Sequence, residues 1–99
     1  MSHVLVFGAG RVARPCVQHL LKDPDTRVTV VDKDAKNLER VLEGHPRGEA
    51  IIADAGHDAR DLIAQVNPDL VINLLPPPFM YPVAKICVEA KKHMVNPSY

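Results

Sequence analysis

Five short apolar segments, several rich in β-branched residues, alternate with four helical patterns along this chain. That alternation restricts the fold more than any other feature. His3-Val4-Leu5-Val6-Phe7 reads as a buried strand ending at Gly8, Arg27 to Asp32 as a second, and Glu49 to Ala53, around Ile51-Ile52, as a third. Leu70 to Leu75 is the most apolar, and Met94-Val95 opens a fifth. Between them, Arg11 to Lys22 places Ala13, Val17 and Leu20/Leu21 at helical spacing, with Pro15 near the first turn and Asp23-Pro24-Asp25 as the stop. Asp34 is the expected cap of a second helix, whose inward face is Leu38, Val41 and Leu42 and whose end is Gly44. A third helix is expected over Asp58 to Val66, capped by Asp58, with Leu62, Ile63 and Val66 inward. In the fourth, Val83, Ile86, Cys87 and Ala90 repeat at i, i+3, i+4 and i+7, and Lys91-Lys92-His93 suits the negative end of its dipole. Near-continuous apolar strands alternating with amphipathic helices require a parallel sheet covered on both faces. Right-handed crossovers then favour an α/β doubly wound sheet of five strands in the order 3-2-1-4-5.

Gly8-Ala9-Gly10-Arg11-Val12-Ala13 is a G-x-G-x-x-A turn between the first strand and the first helix, the setting in which a Rossmann-like fold binds a dinucleotide. Gly8 permits the tight turn, Gly10 lets the backbone approach a pyrophosphate, and Ala13 allows close packing of helix on sheet. The helix start supplies free N–H groups and partial positive charge. Asp32 ends the second strand 22 positions after Gly10, where a carboxylate accepts hydrogen bonds from the adenosine ribose and repels the 2′-phosphate of NADP. NAD is therefore the expected cofactor, with NADP an alternative through Lys33 or Lys36. Arg11 is either a pyrophosphate or substrate contact or a solvated residue. Asp54 either borders an adenine ring or caps a helix. Without a nucleotide, the glycines serve only the turn and Asp32 only ends a strand. Pro76-Pro77-Pro78 ends the fourth strand rigidly or shapes the groove at the carboxyl ends of strands 1 and 4.

Composition narrows the partners. Twelve Lys+Arg balance twelve Asp+Glu over 99 residues, so no basic field points to nucleic acid or an anionic membrane. No apolar run approaches the ~18–20 residues of a membrane span, and the first residues do not form a secretion signal. Cys16 and Cys87, the only cysteines, fit neither a disulfide framework nor a metal spacing, so a reducing cytoplasm is expected. The five histidines show no ligand spacing. No Ser/His/Asp grouping or carboxylate pair marks a catalytic centre, and no metal site is expected. Residues 1–99 form one expected domain, short for an enzyme, whose fifth strand offers an unpaired edge through which a homodimer could form.

Val4 to Pro15 (Val-Leu-Val-Phe-Gly-Ala-Gly-Arg-Val-Ala-Arg-Pro), Leu70 to Pro76 and Lys91 to Tyr99 together resemble the N-terminal cofactor-binding part of the saccharopine dehydrogenase family. The resemblance implies a pyridine-nucleotide oxidoreductase that takes hydride from the carbon beside a secondary amine joining two amino-acid-like parts. Water then hydrolyses the resulting imine. It implies that Ala9 to Val12 wrap the pyrophosphate, Asp32, Lys33 and Asp34 meet the ribose, and Asp54 and Ala55 border the adenine. It further implies that Leu75 and Pro76 line the cofactor groove, Pro97 and Ser98 lie by the nicotinamide, and Ser98 and Tyr99 touch substrate. NADP-using relatives carry Arg beside the ribose, where this chain has Asp32-Lys33. The family's substrate domain would follow Tyr99, so the chain is expected to be inactive alone. Gly-Arg-Val, Val-Asp-Lys-Asp and Ala53-Asp54-Ala55 also resemble the regulatory domains that gate potassium transport. Such a domain would bind NAD or ATP without chemistry.

Overall fold

The computed structural model describes residues 2–95. Its elements run β1 (Ser2–Phe7), α1 (Ala13–Leu20), β2 (Thr26–Asp32), α2 (Ala35–Leu42), β3 (Gly48–Ile52) and α3 (Ala55–Val66). They continue through β4 (Leu70–Asn73), a 3-10 turn (Pro77–Phe79), α4 (Met80–Glu89) and β5 (His93–Val95). All four strand pairings are parallel, in the order β3-β2-β1-β4-β5, as the alternation predicts. Val4 at the centre pairs in register with Val28 on one side and Leu70 on the other.

The pleat divides β1 between two cores. Val4 and Val6, with Val28 and Val30 of β2, pack against Ala13, Val17, Leu38, Val41 and Leu42 of α1 and α2. Leu5 and Phe7, with Val31 and Val71, pack against Ala59, Leu62 and Ile63 of α3 and Val83 and Cys87 of α4. Burying each larger aliphatic side chain stabilises the fold by about 1.5–3 kcal/mol, so both faces of the central strands are needed. The outer strand β3 is weakly covered: Glu49, Ala50 and Ile52 are exposed.

Several boundaries differ from the sequence expectation. The third helix starts at Ala55 and is capped by Asp54, whose side chain accepts from the His57 N–H at 3.3 Å. Asp58 sits inside its first turn, where its charge complements the dipole. Arg11 and Val12 belong to a turn, and α1 begins at Ala13, which leaves Pro15 in the first turn where no N–H is missed. The fourth strand stops at Asn73, because the chain turns there instead of continuing to Leu75. Ala90 follows the end of α4 and is exposed, so the inward face of that helix is Val83 and Cys87, with Ile86 half-buried. Asp34 caps α2 as expected, accepting from the Lys36 N–H at 2.9 Å. At the far end Glu43 and Gly44 both take left-handed conformations. Among the described residues, no helix is long and apolar enough to cross a membrane.

Candidate functional site

The two glycines of the first turn differ in what the fold asks of them. Gly8 has φ +100°, and a Cβ there would lie 3.1 Å from the Leu74 carbonyl oxygen. Its N–H donates to the Val31 carbonyl at 2.8 Å. The turn thus requires glycine twice over, for its dihedral and for the approach of the β4 end. Gly10 is exposed, lies outside the left-handed region, and would carry a Cβ that meets no atom of the described residues within 4 Å. Among the described residues, nothing excludes a side chain at Gly10. Ala13 is fully buried against the sheet, and no side chain caps α1, which leaves N–H groups of its first turn for an outside acceptor.

Asp32 joins that turn to the end of β2. Its Oδ1 accepts from the Ala9 N–H at 3.0 Å, and its Oδ2 accepts from the Asp34 N–H at 3.0 Å and from Asn37 Nδ2 at 3.4 Å. A carboxylate offers about four acceptor positions, so three are taken and about one remains. The Ala9 carbonyl accepts from Arg40 Nη2 at 3.0 Å. Both polar backbone atoms of Ala9 are therefore held by charged side chains, one from β2 and one from α2.

Beside Asp32 a cleft of about 280 Å³ opens at the carboxyl ends of the strands. Lys33, Asp54, Ala55, Leu75 and Pro76 line it, as do Gly56 and Phe79. Lys33 Nζ stands 3.6 Å from Asp54 Oδ2 across the mouth, and both side chains are substantially exposed, so the pair contributes at most ~1 kcal/mol. Asn73, 1% exposed, does not line the cleft but holds two segments that do. Its Oδ1 accepts from the Leu75 N–H at 3.0 Å and its Nδ2 donates to the Phe79 carbonyl at 3.4 Å. The Phe79 ring covers Gly56, where an added Cβ would come within 2.5 Å of the ring.

The residues expected from sequence thus fall into groups. Gly8, Ala9, Gly10, Arg11 and Val12 form the turn, Asp32 links it to the cleft, and Lys33, Asp54, Ala55, Leu75 and Pro76 line the cleft. Arg11 is exposed and enters no ion pair among the described residues. Asp34 does not line the cleft, and its Oδ1 is occupied as the cap of α2. Pro97, Ser98 and Tyr99 lie outside the described residues. Sequence reasoning missed Asn73, Phe79, Gly56, Asn37 and Arg40. An Asn inside an otherwise apolar strand and a Gly in a helix's first turn were the available signals for two of them. Cys87 is buried and Cys16 half-buried, and burial pushes both thiols up, which suits packing and opposes thiolate chemistry. A larger groove of about 370 Å³ runs between α2 and β3, but it is walled chiefly by apolar side chains such as Leu38, Leu42 and Ile52 and does not include the glycine turn.

Comparison with known proteins adds to this geometry. A family model described as the saccharopine dehydrogenase NADP binding domain matches residues 4–99. Saccharopine dehydrogenase [NADP(+), L-glutamate-forming] of Schizosaccharomyces pombe is 29% identical over 99 residues, covering 100% of this chain and 22% of that protein. The structure of apo saccharopine dehydrogenase (L-Glu forming) from Saccharomyces cerevisiae superposes with a TM-score of 0.84 at 30% identity, again covering 100% of this chain and 22% of that one. The Trk system potassium uptake protein TrkA of Haemophilus influenzae is 28% identical over 80 residues, 73% of this chain and 17% of that protein. The chain spans about a fifth of the length of the two dehydrogenases.

Proposed function

The chain belongs to the saccharopine dehydrogenase NADP binding domain family, and from that premise we propose that residues 1–99 form the domain that holds the dinucleotide of an oxidoreductase acting on a secondary amine. The observation that carries this reading is Gly10, a glycine for which no packing contact among the described residues gives a reason. A pyrophosphate approaching the uncapped start of α1 does need it, because a side chain there would stand between phosphate and backbone N–H groups. The adenosine half fits the cleft beside Asp32, with the base between Lys33, Ala55, Leu75 and Phe79, and Ala9 to Val12 along the diphosphate. By the family resemblance alone, Pro97 and Ser98 are assigned to the nicotinamide half and Ser98 and Tyr99 to the substrate.

The sequence put NAD first because of Asp32. We take NADP as the cofactor instead. Three donors already surround the Asp32 carboxylate, which weakens its repulsion of a 2′-phosphate, and the curated yeast relative bears NADP(+) in its name. The cofactor, when bound, supplies hydride acceptance. The chain's own groups orient it, and we assign no catalytic residue to the chain. The substrate class, an amine joining two amino-acid-like parts, rests on the resemblance to the saccharopine dehydrogenase family.

Isothermal titration of NADP, NAD and ATP into the purified chain tests this. Binding of NADP or NAD, with ATP much weaker, is the expected result. Tight ATP binding with indifference to both dinucleotides would overturn it in favour of the regulatory reading that the TrkA similarity represents.

A further inference from the structure

We propose that Arg40 recognises the 2′-phosphate of NADP in this chain, an inference that rests on the dinucleotide reading above. Asn37 and Arg40 stand three positions apart on α2, so helical spacing turns them to one side. Both reach the same place. Asn37 Nδ2 meets Asp32 Oδ2 at 3.4 Å and Arg40 Nη2 meets the Ala9 carbonyl at 3.0 Å. Arg40 is thus anchored on the residue whose N–H binds Asp32, the carboxylate beside which the adenosine ribose lies.

The guanidinium is also uncommitted in charge. Among the described residues the arginine and lysine ion pairs are Arg14 with Glu43, Lys33 with Asp54 and Arg60 with Glu89, and Arg40 has no carboxylate within 4.0 Å. One of its five N–H donors goes to a carbonyl, and the rest of the planar fork is free to take a phosphate. Lys33, the cation that sequence position would nominate, is turned toward Asp54 on the adenine side at 3.6 Å. Arg40 is therefore the cation fixed on the glycine-turn side of Asp32. The competing account gives Arg40 only a structural task, the holding of the Ala9 carbonyl.

Pairs of ligands that differ by the 2′-phosphate alone separate these accounts. NADP and NAD, and 2′,5′-ADP and 5′-AMP, are titrated into the wild-type chain and into Arg40→Ala. The proposal expects Kd for NADP and 2′,5′-ADP to rise roughly 10- to 100-fold, as loss of a charge-assisted contact does, while NAD and 5′-AMP change less than about threefold. Equal weakening within each pair, or no weakening, overturns the proposal, the former leaving Arg40 a clasp of the turn. Arg40→Gln keeps a side-chain N–H donor without the charge and carries the same comparison should Arg40→Ala lose its fold. A wild-type chain that binds neither dinucleotide would instead refute the dinucleotide reading on which this rests, a result distinct from either.

Discussion

Replacing Gly10 with Ala separates what the fold requires from what a ligand requires. The added Cβ meets no atom of the described residues within 4 Å, and Gly10 is not held at positive φ. The substitution therefore removes conformational freedom from the unfolded chain without straining the folded one, which stabilises by about 0.4–1 kcal/mol. For a domain of this size that raises Tm by roughly 2–8 °C. Gly8→Ala is the contrast. There φ is +100° and the new methyl would press on the Leu74 carbonyl at 3.1 Å, so a loss of at least ~1–3 kcal/mol is expected. Dinucleotide affinity should run the other way for Gly10→Ala, falling at least about tenfold, or ~1.4 kcal/mol, because the methyl occupies the path of the pyrophosphate. Thermal unfolding without ligand and calorimetric titration with NADP measure the two effects on the same sample. A Gly10→Ala chain that binds NADP as the wild type does would refute the argument. So would one as destabilised as Gly8→Ala.

Other sites give independent expectations. Asp32→Ala leaves the buried Ala9 N–H without its acceptor and should cost about 1–3 kcal/mol of stability with no ligand present; urea unfolding that matches wild type would show that Asp32 holds nothing in the free chain. Gly56→Ala places a methyl 2.5 Å from the Phe79 ring, which must swing into or away from the cleft, so NADP affinity should fall and the double variant with Phe79→Ala should recover part of it. If the single variant binds normally, the ring does not wall the site. His3 is held below its ordinary pKa of 6.5, first by burial and then by the neighbouring Arg27 charge, and its Nε2 lies 2.7 Å from Thr29 Oγ1. The folded chain thus favours neutral His3, a contribution fully present above about pH 6.5 and lost as pH falls through the folded value. His3→Gln should flatten that part of the profile in urea unfolding between pH 7.5 and 5.5, and identical profiles would remove His3 as the cause.

The strand order was legible because the central strands carry apolar residues on both faces and each crossover holds a recognisable helix. Val4 and Val6 face one core and Leu5 and Phe7 the other, which is why β1 reads as a continuous run. The glycine turn and Asp32 were legible by spacing. The bond from Ala9 to Asp32 was not, because a side chain at a strand end has no sequence signature for the backbone atom it meets. The α3 start was misread because Asp54 and Asp58 are equally good caps as residue types. Only the extended backbone of Asp54 decides between them, at φ −85° and ψ 95°. Arg40 was invisible for a related reason. A charged residue on an exposed helix position reads as solvated until the neighbouring loop is seen to offer it a carbonyl.

NMR of the isotope-labelled chain during addition of NADP tests the central claim most directly. The account predicts saturable shifts concentrated at Gly8 to Val12, at Asp32 and Lys33, and at Asp54 to Gly56. Shifts confined to the groove between α2 and β3, or no shifts at millimolar NADP, would contradict it.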